Sequence, residues 1–346
     1  MSRPLGWRAV LMFAVLAGLP AMPFMSKYYL LLAFDALLFG VIAMSLDLLI
    51  GYTGLVSFGH AAFYGLGAYA TAVLMERGVH SLWACLGAAL LVVGLYALVV
   101  SYFATVRRGI YFALLTLIFA EVVYTFFRYT QTFGGSDGIQ GLPDALLWPG
   151  MPIDTPARKY YLVLVYLLAA FVLCRVLVTS HFGRVLVAIR ENEDRARFLG
   201  YNVQRYKMGV CMISALLTGV GGALYAHKVT FISPEQFTLL VSIELVTIVI
   251  LGGVGSLHGA VFGAAFVIVL PQLISIAKDY LPAAIGGAAG LQATVFGLVL
   301  IGFILFEPMG LYGRWLKVRT WFELFPFYRK GMFRRQKTYM KSERLR

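Results

Sequence analysis

The feature that most constrains this chain is the recurrence of apolar segments long enough to cross a lipid bilayer. A spanning helix needs about 20 mostly apolar residues. Ten segments approach that length, near residues 6–24, 29–50, 58–75, 82–104, 109–127, 159–179, 208–226, 237–251, 259–277 and 291–306. Hydrophobic residues make up 60% of the 346 residues and charged residues only 13%, which is too little polar surface for a soluble protein of this size. We therefore predict an all-α fold, a polytopic membrane bundle of about ten transmembrane helices.

The distribution of Lys and Arg predicts the orientation of this bundle. Positive residues concentrate in the cytoplasmic segments of membrane proteins. With an internal N-terminus, 22 of the 29 Lys and Arg residues fall on the inner side, so we predict that both termini are inside. The turns near 50–58 and 252–258 carry no positive charge, and the helices beside them are alternatively re-entrant or broken.

These two uncharged turns share a composition of Gly, Ser and His. The first, 51–60, has the sequence GYTGLVSFGH, and the second, 252–259, has GGVGSLHG. Glycine-interrupted apolar segments in both halves of a chain are typical of transporters with an internal repeat, where they lie near the substrate site. The alternative is that Gly255, Gly259 and Gly263, spaced by four residues, only let helices approach closely. The sequence leaves both interpretations open.

Polar side chains within or beside the apolar segments are candidates for a substrate pathway or a gate. An acid at membrane depth usually faces a cavity or a partner, which singles out Glu121 and Glu244. For both, a hydrogen bond between helices is the alternative. Asp35 and Asp47 are interpreted as markers of the ends of one span. The candidate pathway or gating residues are Ser57, His60, Glu121, Glu244 and Ser256.

The sequence lacks motifs for nucleotide binding, metal binding and disulfide formation. No phosphate-binding G-x-x-x-x-G-K-[ST] loop occurs, so the chain has no nucleotide-binding motif of its own. His60 and His258 suit helix packing or capping better than metal ligation. Cys85, Cys174 and Cys211 show no pairing pattern. We therefore predict no catalytic residue, no metal site and no cofactor in this chain, and a membrane enzyme is disfavoured.

The inner connection 181–207 predicts a short charged helix that projects into the cytoplasm. Two Glu–Arg pairs spaced by four residues support such a helix, and Gly200 follows them as a helix terminator. The segment is either a surface for docking a partner or a solvated connector. The two pairs are Glu191–Arg195 and Glu193–Arg197.

The tail, 314–346, is basic and aromatic. It has eleven Lys or Arg residues, two acids and eight aromatic residues, and so carries +9 of the total net charge of +13. Such a segment beside a final span is typical of contact with anionic lipids at the inner leaflet. Nucleic-acid binding is the less economical interpretation for a segment tethered to a bilayer. We therefore divide the chain into a transmembrane permease domain, 1–313, and a cytoplasmic tail, 314–346.

Several stretches of the sequence form a recognisable set of motifs. They are SLDLLIGYTGLVSFGHAAFYGLGAY at 45–69, GGSDG at 134–138, FGRVLVAIRENEDRARFLGYNVQRYK at 182–207, SALLTGVGG at 214–222, LGGVGSLHGAVFGA at 251–264 and FEPMGLYG at 306–313. Together they resemble the M-type permease family of branched-chain amino-acid ABC importers. The resemblance covers about residues 28–316, and the related urea and short-amide permeases share much of the pattern.

The resemblance implies an importer of several chains in the bacterial inner membrane. Two permease subunits form the pathway, two ATP-binding cassette ATPase subunits bind ATP on the cytoplasmic face, and a periplasmic binding protein delivers the substrate. This chain is then a permease that moves branched-chain or related hydrophobic amino acids inward by alternating access. The alternatives are a permease for urea or short amides, an ion-coupled secondary transporter that uses Glu121 and Glu244, and a structural subunit.

The resemblance also assigns a role to the inner connection. ABC permeases contact their ATPases through an inner loop with the pattern Glu-Ala-Ala-x-x-x-Gly. Asp194-Arg195-Ala196, three further residues and Gly200 occupy that frame, with Asp in place of Glu and Arg in place of Ala. The ATPase-coupling residues that the resemblance implies are Glu191, Asp194, Arg195, Ala196 and Gly200.

Overall fold

Long apolar runs fold as helices in a membrane because the bilayer core offers no partner for backbone N–H and C=O groups. The computed structural model describes residues 16–21, 26–148, 150–280, 290–307 and 310–324. Its helices are α1 (Lys27–Thr53), α2 (His60–Glu76), α3 (Leu82–Ala104), α4 (Ile110–Tyr129), α5 (Pro156–Thr179), α6 (His181–Glu191), α7 (Glu193–Phe198), α8 (Val203–Ala226), α9 (Leu239–Gly252), α10 (Leu257–Asp279), α11 (Leu291–Phe306) and α12 (Gly310–Leu324).

Six helices in the described part of the chain, namely α1, α3, α4, α5, α8 and α10, are long and apolar enough to cross a bilayer. A seventh span arises if α11 and α12, which meet at a 53° bend, cross together. The predicted spans 58–75 and 237–251 correspond to α2, with 17 residues, and α9, with 14 residues. Helix α9 is shorter than a full span and α2 lies at the lower limit of length. These lengths are compatible with broken or re-entrant helices.

A polytopic helical membrane protein is thus confirmed, whereas the count of ten spans and the inner position of both termini stay predictions. The predicted span 6–24 lies mostly outside the described residues. Helix α12 crosses the predicted boundary between 313 and 314. The remainder of the predicted tail, from residue 325 onward, lies outside the described residues.

Helix α1 is the central helix of the bundle. It contacts α5, α8, α9 and α10, and its side chains from 40 to 49 are all buried. A helix that is apolar on every side is expected in such a position. In contrast, α3 and α4 bury only a third of their most apolar stretch and expose side chains such as Leu95 and Ile118, so their outer faces suit lipid or another membrane subunit.

Two small antiparallel sheets connect segments on the predicted outer side. Strand β1 (Ile139–Gln140) pairs with β4 (Phe231–Ile232), and β2 (Leu146–Trp148) pairs with β3 (Met151–Pro152). The GGSDG stretch leads into β1. Its last glycine, Gly138, has φ +67°, and a Cβ there would lie 2.0 Å from the carbonyl oxygen of Ile232. Glycine is therefore required where the two outer connections touch.

Candidate functional site

The inner connection folds as two short helices, α6 and α7, where the sequence predicts one. Asn192 has extended backbone angles, and its side-chain oxygen accepts the N–H of Arg195 at 2.9 Å. Asn192 therefore caps α7 and separates Glu191 from Arg195, and within the described structure these two residues form no ion pair. Gly200 has φ +86° and follows the end of α7, which confirms the predicted terminator.

Glu193 is the centre of a charge cluster that joins α7 to two other elements. Its Oε1 lies 3.1 Å from Arg108 Nε in the connection between α3 and α4, and 2.8 Å from Arg197, as predicted for that pair. Its Oε2 lies 2.7 Å from the Nζ of Lys207, which is only 2% exposed in α8. Because Glu193 satisfies a buried ammonium group, α7 is fixed to the inner ends of the spanning helices.

Asp194 adds a second contact to the α3–α4 connection. Its carboxylate accepts a hydrogen bond of 2.8 Å from the Arg108 guanidinium. This hydrogen bond and the charge of Arg108 lower the pKa of Asp194 below its ordinary value. The contact is an exposed ion pair between α7 and the α3–α4 connection.

The far end of α7 has exposed apolar side chains. Phe198 is 90% exposed and Leu199 is 69% exposed, whereas Ala196 on the same helix is buried. Ala196 packs with Val185 and Ile189 of α6 in a small separate core. This core holds α7 against the bundle while the exposed pair faces outward, and exposed aromatic and aliphatic groups beside charges are typical of a docking surface.

The structure brings the two Gly-Ser-His turns into direct contact. Asp47 in α1 accepts the N–H of Gly255 at 2.8 Å, and the Tyr52 hydroxyl donates to the carbonyl oxygen of Gly255 at 3.1 Å. A Cβ on Gly51 would lie 2.5 Å from the nitrogen of Gly255. Hydrogen bonds therefore fix the end of α1 to the turn between α9 and α10. The close approach is possible because Gly51 has no side chain.

Arg190 connects this junction to the inner connection. Its guanidinium, at the end of α6, donates to the carbonyl oxygen of Gly51. The same side chain borders Gly54, since a Cβ there would lie 3.2 Å from Arg190 Cγ. A cavity of about 370 Å³ beside it is lined by residues of α1, α6 and α7, together with Arg108 and Lys207. Arg190 therefore contacts the first turn through Gly51 and lies beside the second, where a Cβ on Gly255 would be 3.8 Å from its guanidinium.

Two of the candidate pathway residues, Ser57 and His60, lie together in a buried polar network. The His60 ring nitrogens lie 3.1 Å from Ser57 Oγ and 2.8 Å from Ser214 Oγ. Ser214 donates to the carbonyl oxygen of Ser45 at 2.6 Å, so the network joins α1, α2 and α8. Both ring nitrogens of His60 have a partner. This placement favours helix packing, and the pathway role stays a prediction.

The other three candidates lie apart from this network and from each other. Ser256 caps α10 by accepting the N–H of Gly259 at 3.0 Å. Glu121 is exposed on α4. Glu244, on α9, lines a cavity together with Asp35 of α1. The five residues therefore do not form one site.

Several residues at the inner connection and at the junction of the two turns have roles that the sequence does not predict. Asp47 was interpreted as the end of a span, although its position inside an apolar run was a signal for burial. The contact of Arg190 could not be predicted from the sequence, because its partner is a backbone oxygen 139 residues away. For Lys207 and Arg108 the sequence predicts only a charge on the inner side, because their common partner, Glu193, is brought to them by tertiary packing.

Comparisons with known proteins agree with the sequence motifs. A family model described as branched-chain amino acid transport system / permease component matches residues 28–306. The high-affinity branched-chain amino acid transport system permease protein LivM of Salmonella typhimurium is 30% identical, covering 87% of this chain and 74% of the relative. LivH of the same organism, with the same description, is 25% identical, covering 80% of this chain and 91% of the relative. No solved structure gives a significant match.

Proposed function

This chain belongs to the family of branched-chain amino acid transport system permeases, and we propose that it moves branched-chain amino acids into the cell as one permease subunit of an ABC importer. Members of this family are transport subunits and not enzymes, and the chain is a multi-pass membrane protein. The amino-acid substrate is supported by the names of the LivM and LivH relatives. The cell compartment that fits such a protein is the bacterial inner membrane.

A second permease is the first partner that we propose. Salmonella typhimurium has two such permease proteins, LivM and LivH, and this chain is similar to both. Glu121 gives physical support, because it is exposed on α4 between the apolar residues Ile118 and Val122. An acid at that depth is unstable against lipid and favours a face covered by protein.

The remaining proposed partners are two ATPase subunits, which bind the ATP, and a periplasmic binding protein, which delivers the amino acid. The observation that carries ATPase docking is the surface of α7, where Phe198 and Leu199 are exposed. Anionic lipids remain the proposed partner of the basic tail, whose residues 314–324 belong to α12. That helix exposes Trp315 and Lys317, side chains that suit a membrane surface.

The contacts of the inner connection suggest how ATP binding changes the bundle. A displacement of α7 acts on α8 through Glu193 and Lys207, and on the α3–α4 connection through Arg108. A displacement of α6 acts on α1 through Arg190. Alternating access requires two arrangements of the helices that the nucleotide state stabilises differently. Through these contacts, a movement of the ATPases would favour one arrangement over the other.

A comparison of two glycine substitutions tests this function in the complete importer reconstituted in proteoliposomes. Gly200 and Gly78 have φ of +86° and +84°, and a Cβ at either position meets no atom within 4 Å. Leucine at either position therefore introduces a similar backbone strain, but only Gly200 lies beside α7. We expect Gly200→Leu to reduce ATP-driven leucine uptake at least tenfold with ATP hydrolysis retained, and Gly78→Leu to keep uptake within twofold.

Three results would contradict the proposal. Normal uptake in a Gly200→Leu importer that is present in the membrane would show that the α7 region does not couple. Uptake that persists without the ATPase subunits would favour an ion-coupled transporter. Transport of urea or a short amide in place of leucine by the unaltered importer would assign the chain to the other branch of the resemblance.

A further inference from the structure

A second cavity, separate from the inner connection, lies between α1, α9, α10 and α11. Its volume is about 560 Å³, within the range of roughly 300–1,000 Å³ that small-molecule sites occupy. Both polar and apolar side chains line it, among them Asp35, Glu244, Gln272 and Phe296. The coupling function described above uses none of these residues.

The cavity lies in the half of the bundle that the charge distribution assigns to the outside. Asp35 is eight residues from the first residue of α1, and Glu244 is five residues from the first residue of α9. At a rise of 1.5 Å per residue, these positions are roughly 12 Å and 8 Å below the outer ends of their helices. A solute released at the outer face would meet the cavity before the Gly51–Gly255 junction.

The charges around the cavity leave one carboxylate without a counter-ion. Asp35 is paired with Lys228, which lies just after α8. Glu244 has neither a hydrogen-bond partner nor an ion-pair partner among the residues that the structure describes. Two carboxylates and one ammonium group give a net charge of −1. An unpaired acid at membrane depth marks a candidate functional site, and a carboxylate suits a ligand that carries a cationic group.

Helix α10 contributes polar groups near a proline in its interior. Pro271 lies inside the helix and lacks an N–H, so the carbonyl group four residues earlier, on Val267, loses its regular donor. Both Val267 and Pro271 line the cavity, and so does Gln272, whose amide offers N–H donors. The lining residues therefore include an amide donor suited to a carboxylate, beside a helix turn in which one carbonyl group lacks its regular donor.

Apart from Thr247, whose hydroxyl group donates to the carbonyl oxygen of Ile243 at 2.8 Å, the rest of the lining is aliphatic or aromatic. Leu240 and Ile243 of α9 contribute to it, as do Phe296 and Leu300 of α11. A few convergent polar groups in an otherwise apolar pocket are the usual composition of a small-molecule site. Burial of a branched aliphatic side chain against these residues is favourable, whereas a strongly hydrated solute such as urea gains nothing from them.

We propose that this cavity is a binding site for an aliphatic α-amino acid on its route through the membrane. The Glu244 carboxylate accepts hydrogen bonds from the ligand ammonium group, Gln272 donates to the ligand carboxylate, and the leucine, isoleucine and phenylalanine side chains enclose the aliphatic group. The proposal rests on the proposed function as a permease and adds the residues that recognise the substrate within this chain.

Protection of an introduced cysteine tests the site directly in the complete importer. Leu240 lines the cavity and is 76% exposed, while the native cysteines are buried, so Leu240→Cys offers a thiol to a polar maleimide. We expect L-leucine to slow labelling at least fivefold and 4-methylpentanoate, which lacks the ammonium group, to have no effect. Adding Glu244→Gln should abolish protection by leucine, whereas Glu76→Gln, the same change on an exposed residue at the end of α2, should preserve it.

Equal protection by leucine and 4-methylpentanoate would overturn the proposal, because the ammonium group would then have no partner. This comparison of two ligands uses only the Leu240→Cys importer. It therefore tests the proposal even if the Glu244→Gln variant does not accumulate in the membrane. Absence of protection in every nucleotide state, in an importer that still takes up leucine, would also overturn the site and leave the proposed function intact. Absence of ATP-driven leucine uptake by the unaltered importer would instead contradict the proposed function.

Discussion

Glycine residues determine how closely α2 and α8 pack. A Cβ on Gly67 would lie 2.0 Å from the carbonyl oxygen of Gly219, and a Cβ on Gly222 would lie 1.9 Å from the carbonyl oxygen of Tyr64. Helices in a bilayer gain little from the hydrophobic effect, because lipid tails are as apolar as leucine. Close backbone contact and the hydrogen bond from His60 to Ser214 therefore provide much of the specificity of this helix pair.

Gly222→Ala should destabilise the bundle, because the added methyl group overlaps a backbone oxygen that cannot move independently of α2. Overpacking of this kind costs about 1–3 kcal/mol, so we expect a lower midpoint of thermal unfolding in detergent. Gly87→Ala on α3 is the matched control, since no atom lies within 4 Å of a Cβ there. An unchanged midpoint for Gly222→Ala would contradict this prediction, because it would show that α2 and α8 accommodate the added methyl group without loss of stability.

Among the elements of the fold, the spanning helices could be predicted from the sequence. The inner connection could be predicted only in part. The apolar runs gave α1, α3 and α5 close to their observed bounds, because helix formation in a bilayer depends on local composition. The Glu–Arg spacing and Gly200 gave the position of α7. The break at Asn192 was not predicted, because the cap competes with a continuous helix and the tertiary contacts of Glu193 decide between them.

Removal of the Arg190 side chain should separate the inner connection from the two glycine turns. Arg190→Ala loses the hydrogen bond to the carbonyl oxygen of Gly51, while the exposed end of α7 that would meet the ATPases is unchanged. We therefore expect ATP hydrolysis within twofold of normal and leucine uptake reduced at least tenfold, both measured in proteoliposomes.

Arg184→Ala is the control for this variant, because it removes the same charge from an exposed position of the same helix. Equal losses of uptake in the two variants would assign the effect to charge on α6. An Arg190→Ala importer with normal uptake would show that the contact with Gly51 does not transmit the movement.

For the whole molecule, hydropathy predicted the membrane class but not the contacts that close the bundle. Asp47 and Gly255 are 208 residues apart and touch, although their turns share only a loose Gly-Ser-His composition. The same limit applies to the outer cavity, where Asp35 and Glu244 come from different halves of the chain. The sequence identified Glu244 from its depth in an apolar run, but the cavity around it arises only from the packing of four helices.

The orientation of the bundle is the whole-molecule property on which both proposals depend, and two exposed positions test it. Ser136 lies in the connection between α4 and α5, and Arg195 lies on α7. The positive-inside bias places Ser136 outside and Arg195 inside. In spheroplasts, which have lost the outer membrane, an impermeant maleimide should label Ser136→Cys at once and Arg195→Cys only after permeabilisation, because Cys85, Cys174 and Cys211 are buried. The reverse pattern would place α7 away from any cytoplasmic ATPase and the Glu244 cavity near the cytoplasm.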